Sequence, residues 1–497
     1  MHRSCTWAGG ASDYDRPTLP KTGPRPSPAR PLAEPSGGLA AKVGLFDATM
    51  LVMGGIVGAG IFINPYVVAR LVGTPGRILA AWALGGAIAL LGAFVYAELA
   101  DRCPKAGGQY AYLREAFHPG LAFLYGWVLL LVIQTGGMAA VAVTFAAYFL
   151  ELTGLPLSAA AVAALALGAL ALVNCLGVGV GSRVQSGLMV LKILAILALV
   201  AGGGWFLVRT GMAPPAPASP AGPSPLGLAA ALATAMVPVL FAYGGWQTAS
   251  FVAEEVREPR KNLPRALVIG VAGVVVLYLA VNWVCVGVLG PEGLAATTTP
   301  ASAVMERAFG RAGARWIAVG IAVSTLGFLS QSILTAPRVY YAMARDGLFF
   351  RAVGRLDPRR RVPTVAILLQ GATAVVIALS GRYDQILSYV VPMDFLFFGL
   401  TAATLFVFRR RERAGAGGRE SLSGGGRRGA RVPGHPVTTG LFVLASALVV
   451  ANTLAAYPAN SGIGFAILAA GVPVFLLWRR AGGRRGSRGA EGGGPPP

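Results

Sequence analysis

Residues 119–150 contain no Asp, Glu, Lys or Arg, and neither do residues 432–478. A water-soluble fold cannot hide uninterrupted apolar runs of that length, because its helices need a polar face. A bilayer can, and a spanning helix takes roughly 20 apolar residues. The rest of the chain reads the same way. Only 12% of its residues are charged and 55% are hydrophobic, whereas a soluble domain carries about 25% charged residues. Composition therefore excludes a soluble enzyme and points to an all-α polytopic membrane protein.

Twelve apolar runs are expected, near 44–72, 78–100, 119–149, 156–177, 184–208, 227–253, 266–290, 313–341, 362–380, 385–408, 436–457 and 460–478. The long uncharged stretch at the end is divided by Pro-Ala-Asn-Ser-Gly at Pro458–Gly462. Residues 1–40 are rich in Pro, Gly, Arg and Ala without periodicity and read as a disordered tail. No apolar segment near Met1 resembles a cleavable signal. The Gly/Arg-rich loop 411–435 and the tail 479–497 are expected to be flexible.

Twelve spans put both ends on one side. The net charge of +22 decides which. Of the 42 Lys and Arg, 34 fall on the side of the N-terminus, seven on the other, and Lys192 lies inside a span. By the positive-inside rule both termini are cytoplasmic, and the expected location is the plasma (inner) membrane. Positive charge gathered into short loops also argues against a nucleic-acid partner, which would want it spread over one soluble face.

No chemistry of an enzyme shows. His2, His118 and His435 are scattered, the four cysteines (Cys5, Cys103, Cys175, Cys285) form no CxxC, and HExxH, GxSxG and GxxxxGK[ST] are absent. No metal or cofactor is expected. The spans also lack the continuous polar stripe of a channel.

What stands out are two interruptions. The first span contains Gly54, Gly55, Gly58 and Gly60, followed by Asn64-Pro65. The sixth contains Phe241-Ala-Tyr-Gly-Gly-Trp246. Each Gly costs a helix up to about 1 kcal/mol relative to Ala, and unwound backbone at bilayer depth is tolerated only beside a polar cavity. A matched pair of broken spans, first in each of two five-helix halves, points to a secondary transporter with inverted repeats. The halves are expected at 41–210 and 226–410, with two extra helices at 436–478. A broken helix exposes N–H groups that suit a carboxylate and carbonyls that suit an ammonium. Such a pair predicts an α-amino acid held mainly by backbone, with Ile56, Gly58, Ala59 and Gly60 on one side and Phe241, Ala242 and Gly244 on the other.

At these residues the chain resembles the amino acid–polyamine–organocation superfamily. Gly54–Phe62 with Asn64-Pro65 is similar to its first-helix signature, and Phe241–Arg265 to the sixth helix and following loop of L-type amino acid transporters and their bacterial relatives. Glu98-Leu99 with Pro104–Phe117 resembles the second helix and its loop, and Arg183–Lys192 the fifth helix. The resemblance covers about 42–410. It implies a five-plus-five inverted repeat, two further helices and alternating access. It also implies a lid role for Phe241. Where L-type relatives have Asn after the sixth-helix Trp, this chain has Gln247, a further candidate substrate contact. L-type light chains carry a cysteine in the 3–4 exterior loop for a heavy-chain disulfide; Leu150–Ser158 has none, so no such partner is expected.

Two ionisable residues lie inside spans, where they are functional candidates by default. Lys192 resembles a fifth-helix lysine that replaces a bound sodium ion in proton-coupled relatives. It either exchanges a proton or stays charged against carbonyls of the first break, with Ser330 or Ser332 as hydroxyl partners. Asp394 of span ten is either a substrate contact or proton site, or a helix–helix hydrogen bond. Glu98 and Glu254–Glu255, at span ends, are read as partners of arginines and as gates. The expected substrate is a neutral amino acid, moved by proton symport or exchange; the alternative is a cationic amino acid or polyamine met by Asp394.

Overall fold

A computed structural model describes residues 39, 41–213, 225–380, 383–415 and 429–490. Most of the expected 1–40 tail, the centre of the 411–435 loop and residues 491–497 lie outside the described residues. The first span is two helices, α1 (Leu45–Ile56) and α2 (Gly60–Val72). Then come α3 (Pro75–Arg102) and a short α4 (Gln109–Ala116). The third span is α5 (Pro119–Val128) and α6 (Gln134–Thr153), joined through a π-helical turn at Leu129–Ile133. Helices α7 (Ala159–Cys175), α8 (Val178–Thr210) and α9 (Pro225–Tyr243) follow, the last leading into a 3-10 run at Trp246–Glu255. The remainder is α10 (Pro259–Ala296), α11 (Pro300–Thr335), α12 (Pro337–Arg345), α13 (Thr364–Ser380), α14 (Tyr383–Gly415), α15 (Val437–Ala456) and α16 (Pro458–Ala490).

Local chemistry sets most boundaries. Proline opens α3, α5, α10, α11 and α12, where a missing N–H costs nothing. Gly73 and Gly154 close α2 and α6 in the left-handed conformation. Some edges differ from expectation. The division near 458 falls at Tyr457, and Asn460–Gly462 is already helical. Helices α14 and α16 run on past 410 and 478; in α14 the extension Arg411-Glu-Arg-Ala414 is made of good helix formers, continuing a helix already nucleated by the span.

Among the described residues, ten helical stretches are long and apolar enough to cross a membrane, and α7 and α13 are shorter apolar helices between them. Side chains such as Leu165 and Leu172 on α7, Val276 and Trp283 on α10, and Leu441 and Leu448 on α15 point outward and stay exposed. An apolar belt of this kind needs lipid around it.

The two interrupted spans sit at the centre. α10 packs against α3, α1 and α8; α11 packs against α8 and α6; α2 packs against α9. α15 and α16 lie outside, against α14, α3, α9 and α5. One face gathers the described ends of the chain. Lys42 and Val43 donate to Glu255 O, and Arg257 N donates to Val43 O. Ala106 N donates to Glu254, Tyr110 donates to Asp346, and Trp478 donates to Gly347 O.

The two interruptions meet backbone to backbone. A Cβ on Gly55 would lie 2.4 Å from Gly245 O, and one on Gly245 would lie 2.0 Å from Gly55 O. Gly245 also has φ +100°, which other residues rarely adopt. We predict that Gly245→Ala destabilises the protein by more than the about 1–3 kcal/mol of ordinary overpacking, and Gly55→Ala comparably. Gly187→Ala and Gly204→Ala, at sites with open space, serve as neutral controls. Thermal unfolding in detergent checks this.

Candidate functional site

The first break is shorter than its glycines suggest. α1 continues through Gly54 and Gly55 to Ile56; Val57 is extended, and α2 starts at Gly60. Gly54 and Gly55 are therefore helical. They are small because other groups press on them: a Cβ on Gly54 would meet the Gln185 amide at 2.1 Å. Gly58 faces the Phe328 ring and Gly60 the backbone of Ala242. The second break lies at Gly244-Gly245, between α9 and the 3-10 run.

Inside a membrane, freed backbone groups need partners. The carbonyls of the first break find them on side chains. Lys192 Nζ, fully buried on α8, donates to Val57 O and, at 3.4 Å, to Gly54 O. Its stem crosses Gly327, where a Cβ would come within 2.7 Å of Lys192 Cε. The Tyr278 hydroxyl on α10 lies 3.1 Å from Ile56 O and 3.2 Å from Ala242 O. One hydroxyl proton serves both breaks, so each carbonyl keeps accepting capacity. The N–H groups of Gly58, Ala59 and Gly60, in contrast, have no hydrogen-bond partner among the described residues.

The two breaks border one cavity of about 60 Å³. Of the residues singled out in the sequence, Ile56, Gly58, Ala59, Gly60, Phe241, Ala242, Gly244, Gln247, Ser332 and Asp394 all line it. Asp394 is the one charged side chain in the lining, and it makes no ion pair among the described residues. Gln247 Oε1 is buried without a hydrogen-bond partner. Lys192 stands behind the break, outside the lining. Its expected hydroxyl partners are a correction. Ser330 and Ser332 are both buried, and neither hydroxyl has a hydrogen-bond partner among the described residues. The lysine stem lies over Gly327, one turn earlier on α11, and its ammonium is taken by carbonyls.

Several lining residues were not singled out. Gln331 lies between the two serines; its amide donates 2.6 Å to Thr248 Oγ1, which donates 2.6 Å to Gly245 O. Gln134 and Ile133 reach the cavity at the π-helical turn in the third span. π-Bulges concentrate at functional sites, but no residue type announces one. An amide in an otherwise apolar run is the signal that was available for Gln134 and Gln331. Phe328 and Phe395 complete the wall.

The face that gathers the chain ends is bolted by ion pairs. Arg338, at the head of α12, is fully buried and donates 2.7 Å and 3.2 Å to the two Glu255 oxygens. Removing one partner of such a pair costs about 3–5 kcal/mol. Glu98 accepts from Arg102, from Arg409 and from Val432 N. Glu98 and Glu255 meet arginines as expected, whereas Glu254 accepts from Ala106 N.

Two interrupted helices meeting glycine to glycine beside a buried cavity, within a bundle of long apolar helices, define a secondary transporter. Comparison with known proteins agrees. The chain belongs to the amino acid permease family, matching it over residues 43–478, within the amino acid–polyamine–organocation superfamily; it is a multi-pass membrane transporter and not an enzyme. It is 31% identical over 479 residues to the rat large neutral amino acids transporter small subunit 2, covering 92% of this chain and 85% of that one. It is 30% identical over 446 residues to a serine/threonine exchanger of Bacillus subtilis, covering 88% and 97%. It is 30% identical over 374 residues to the mouse b(0,+)-type amino acid transporter 1, covering 74% and 76%.

Tyr278→Phe removes the shared donor and is expected to lower stability by about 1–3 kcal/mol, the cost of a buried unsatisfied acceptor. Tyr340→Phe, whose hydroxyl has no hydrogen-bond partner, should leave it unchanged. Unfolding midpoints of the two variants side by side decide the matter; equal midpoints would remove Tyr278 from this role.

Proposed function

We propose that the protein carries neutral amino acids across the plasma membrane by alternating access, as an exchanger or proton symporter. The spans then number twelve: a five-plus-five inverted repeat at 41–210 and 226–410, followed by α15 and α16, with the chain ends in the cytoplasm. The observation that carries this reading is the juxtaposition of unpartnered N–H groups at Gly58, Ala59 and Gly60 with the carbonyls of Ile56 and Ala242 around one cavity. The former set suits a carboxylate and the latter an ammonium, so both charges of a zwitterion are met by peptide dipoles. No basic side chain enters the lining. Gln247 and Gln331 offer amide groups to the substrate's polar atoms, and Phe241 acts as a lid. The names of the rat and Bacillus relatives, for large neutral amino acids and for serine and threonine, support the same class.

Asp394 favours a second reading. An unpaired carboxylate at the cavity wall suits the extra positive charge of a cationic amino acid or polyamine. No disulfide-linked heavy chain is part of this proposal, because the connection from α6 to α7 contains no cysteine.

Uptake of a radiolabelled amino acid panel into proteoliposomes tests both readings. Competition by alanine, serine or leucine is expected. Competition by arginine or putrescine alone would transfer the assignment to the second reading, and indifference to every amino acid would defeat both.

Lys192 separates the coupling modes. If its ammonium gives up a proton during the cycle, Lys192→Met abolishes uptake driven by a pH gradient and spares exchange of internal for external substrate. Unchanged pH dependence in this variant would assign the lysine to structure alone, as the tie between α8 and the break carbonyls.

A further inference from the structure

A second cavity, of about 250 Å³, opens where the ends of α3 and α14 meet the chain leading into α15. It is lined by Arg102, Arg409, Glu412, Arg413 and Arg431. We propose that this cleft is a binding site for the phosphodiester headgroup of an anionic lipid.

The charge count within the cluster is the first argument. Arg102 is held by Glu98 at 2.8 Å and Glu412 at 3.0 Å, and Arg409 by Glu98 at 2.5 Å. Those two acids are used up by these two arginines and by Val432 N, which donates to Glu98. Arg413 and Arg431 are exposed and make no ion pair or hydrogen bond among the described residues. A third acid, Asp101, stands beside the cluster with its carboxylate accepting from Ala430 N and drawn to Arg260 and Arg102, so the four arginines of the cleft keep a net positive charge over the acids around them, on a frame tied together by Glu98. Guanidinium forks match phosphate oxygens in pairs, and basic pockets between membrane helices are the usual seat of anionic headgroups.

A neighbouring group feels this charge. His435 precedes α15 with its ring 5.0 Å from that of Phe406. Its imidazole titrates below the ordinary range, first because it is partly buried and then because Arg409, Arg413 and Arg102 repel its proton, against the opposing pull of Glu98. An anion in the cleft would relieve that repulsion.

The surroundings distinguish a lipid from a soluble anion. Phe406 lies on α14 one turn before Arg409 and Arg410, and is 39% exposed. Beyond His435, α15 presents Val437, Leu441, Leu444 and Leu448 outward, a stripe at helical spacing. A headgroup seated on the arginines would have its acyl chains on this stripe. A free phosphate would leave the stripe unused.

The test needs no transport assay, so it stands or falls separately from the substrate assignment. The full chain in a neutral detergent is titrated with dioctanoyl phosphatidylglycerol, dioctanoyl phosphatidylcholine or inorganic phosphate, and the unfolding midpoint is followed. Phosphatidylglycerol is expected to raise the midpoint saturably, and the other two to leave it unmoved. The Arg413→Gln/Arg431→Gln double variant should keep its lipid-free midpoint, since neither side chain holds the fold, and lose the lipid response. Arg351→Gln/Arg355→Gln, at exposed arginines elsewhere, should retain it. An undiminished phosphatidylglycerol shift in the double variant, or an equal shift with phosphatidylcholine, overturns the site; an equal shift with phosphate overturns its assignment to lipid.

Discussion

A peptide group released from its helix inside a bilayer has no water to turn to, and the centre of this protein is organised around that fact. α1 stops at Ile56 and α9 at Tyr243, and each stop leaves backbone acceptors and donors unpaired within the bundle. The acceptors are met from outside the broken helices, by Lys192 from α8 and Tyr278 from α10. The donors at Gly58, Ala59 and Gly60 are left open toward the cavity. This asymmetry makes the break a site rather than a defect. A lysine and a tyrosine supply donors only where carbonyls need them, and the N–H groups of Gly58, Ala59 and Gly60 are the ones on which the proposed carboxylate contact rests.

The same arrangement explains the lack of basic side chains around the cavity. An arginine there would compete with the amide donors for a carboxylate and bring its own desolvation cost. Backbone dipoles carry no net charge, so lining the cavity with them avoids burying a further ion in lipid. Asp394 is the exception, and the second reading of the substrate rests on it.

Much of this was legible in the residues. Long uncharged runs gave the helices, and glycine clusters located both interruptions. Periodicity and composition carry such information because lipid tolerates so few alternatives. What escaped were features of approach rather than of type. Gly54 and Gly55 read as unwinding signals, yet they are helical and small because Gln185 and Gly245 press against them. Tyr278 looks like any aromatic in a span, and only its distance to two carbonyls marks it out. Ser330 and Ser332 were chosen for Lys192 by residue type, whereas the path of its stem over Gly327 determines what the ammonium meets. The π-helical turn that brings Gln134 inward leaves no trace in composition.

The short bridge between Val43 and Val256 has a mechanical corollary. It fastens the entrance of α1 to the exit of the 3-10 run through three backbone bonds, those of Lys42 and Val43 to Glu255 O and of Arg257 to Val43 O. Separating the two segments would cost these three bonds, each worth about 0.5–1.5 kcal/mol. The Arg338–Glu255 pair joins the same seam to the head of α12, so three separate stretches of chain are tied together at that one point.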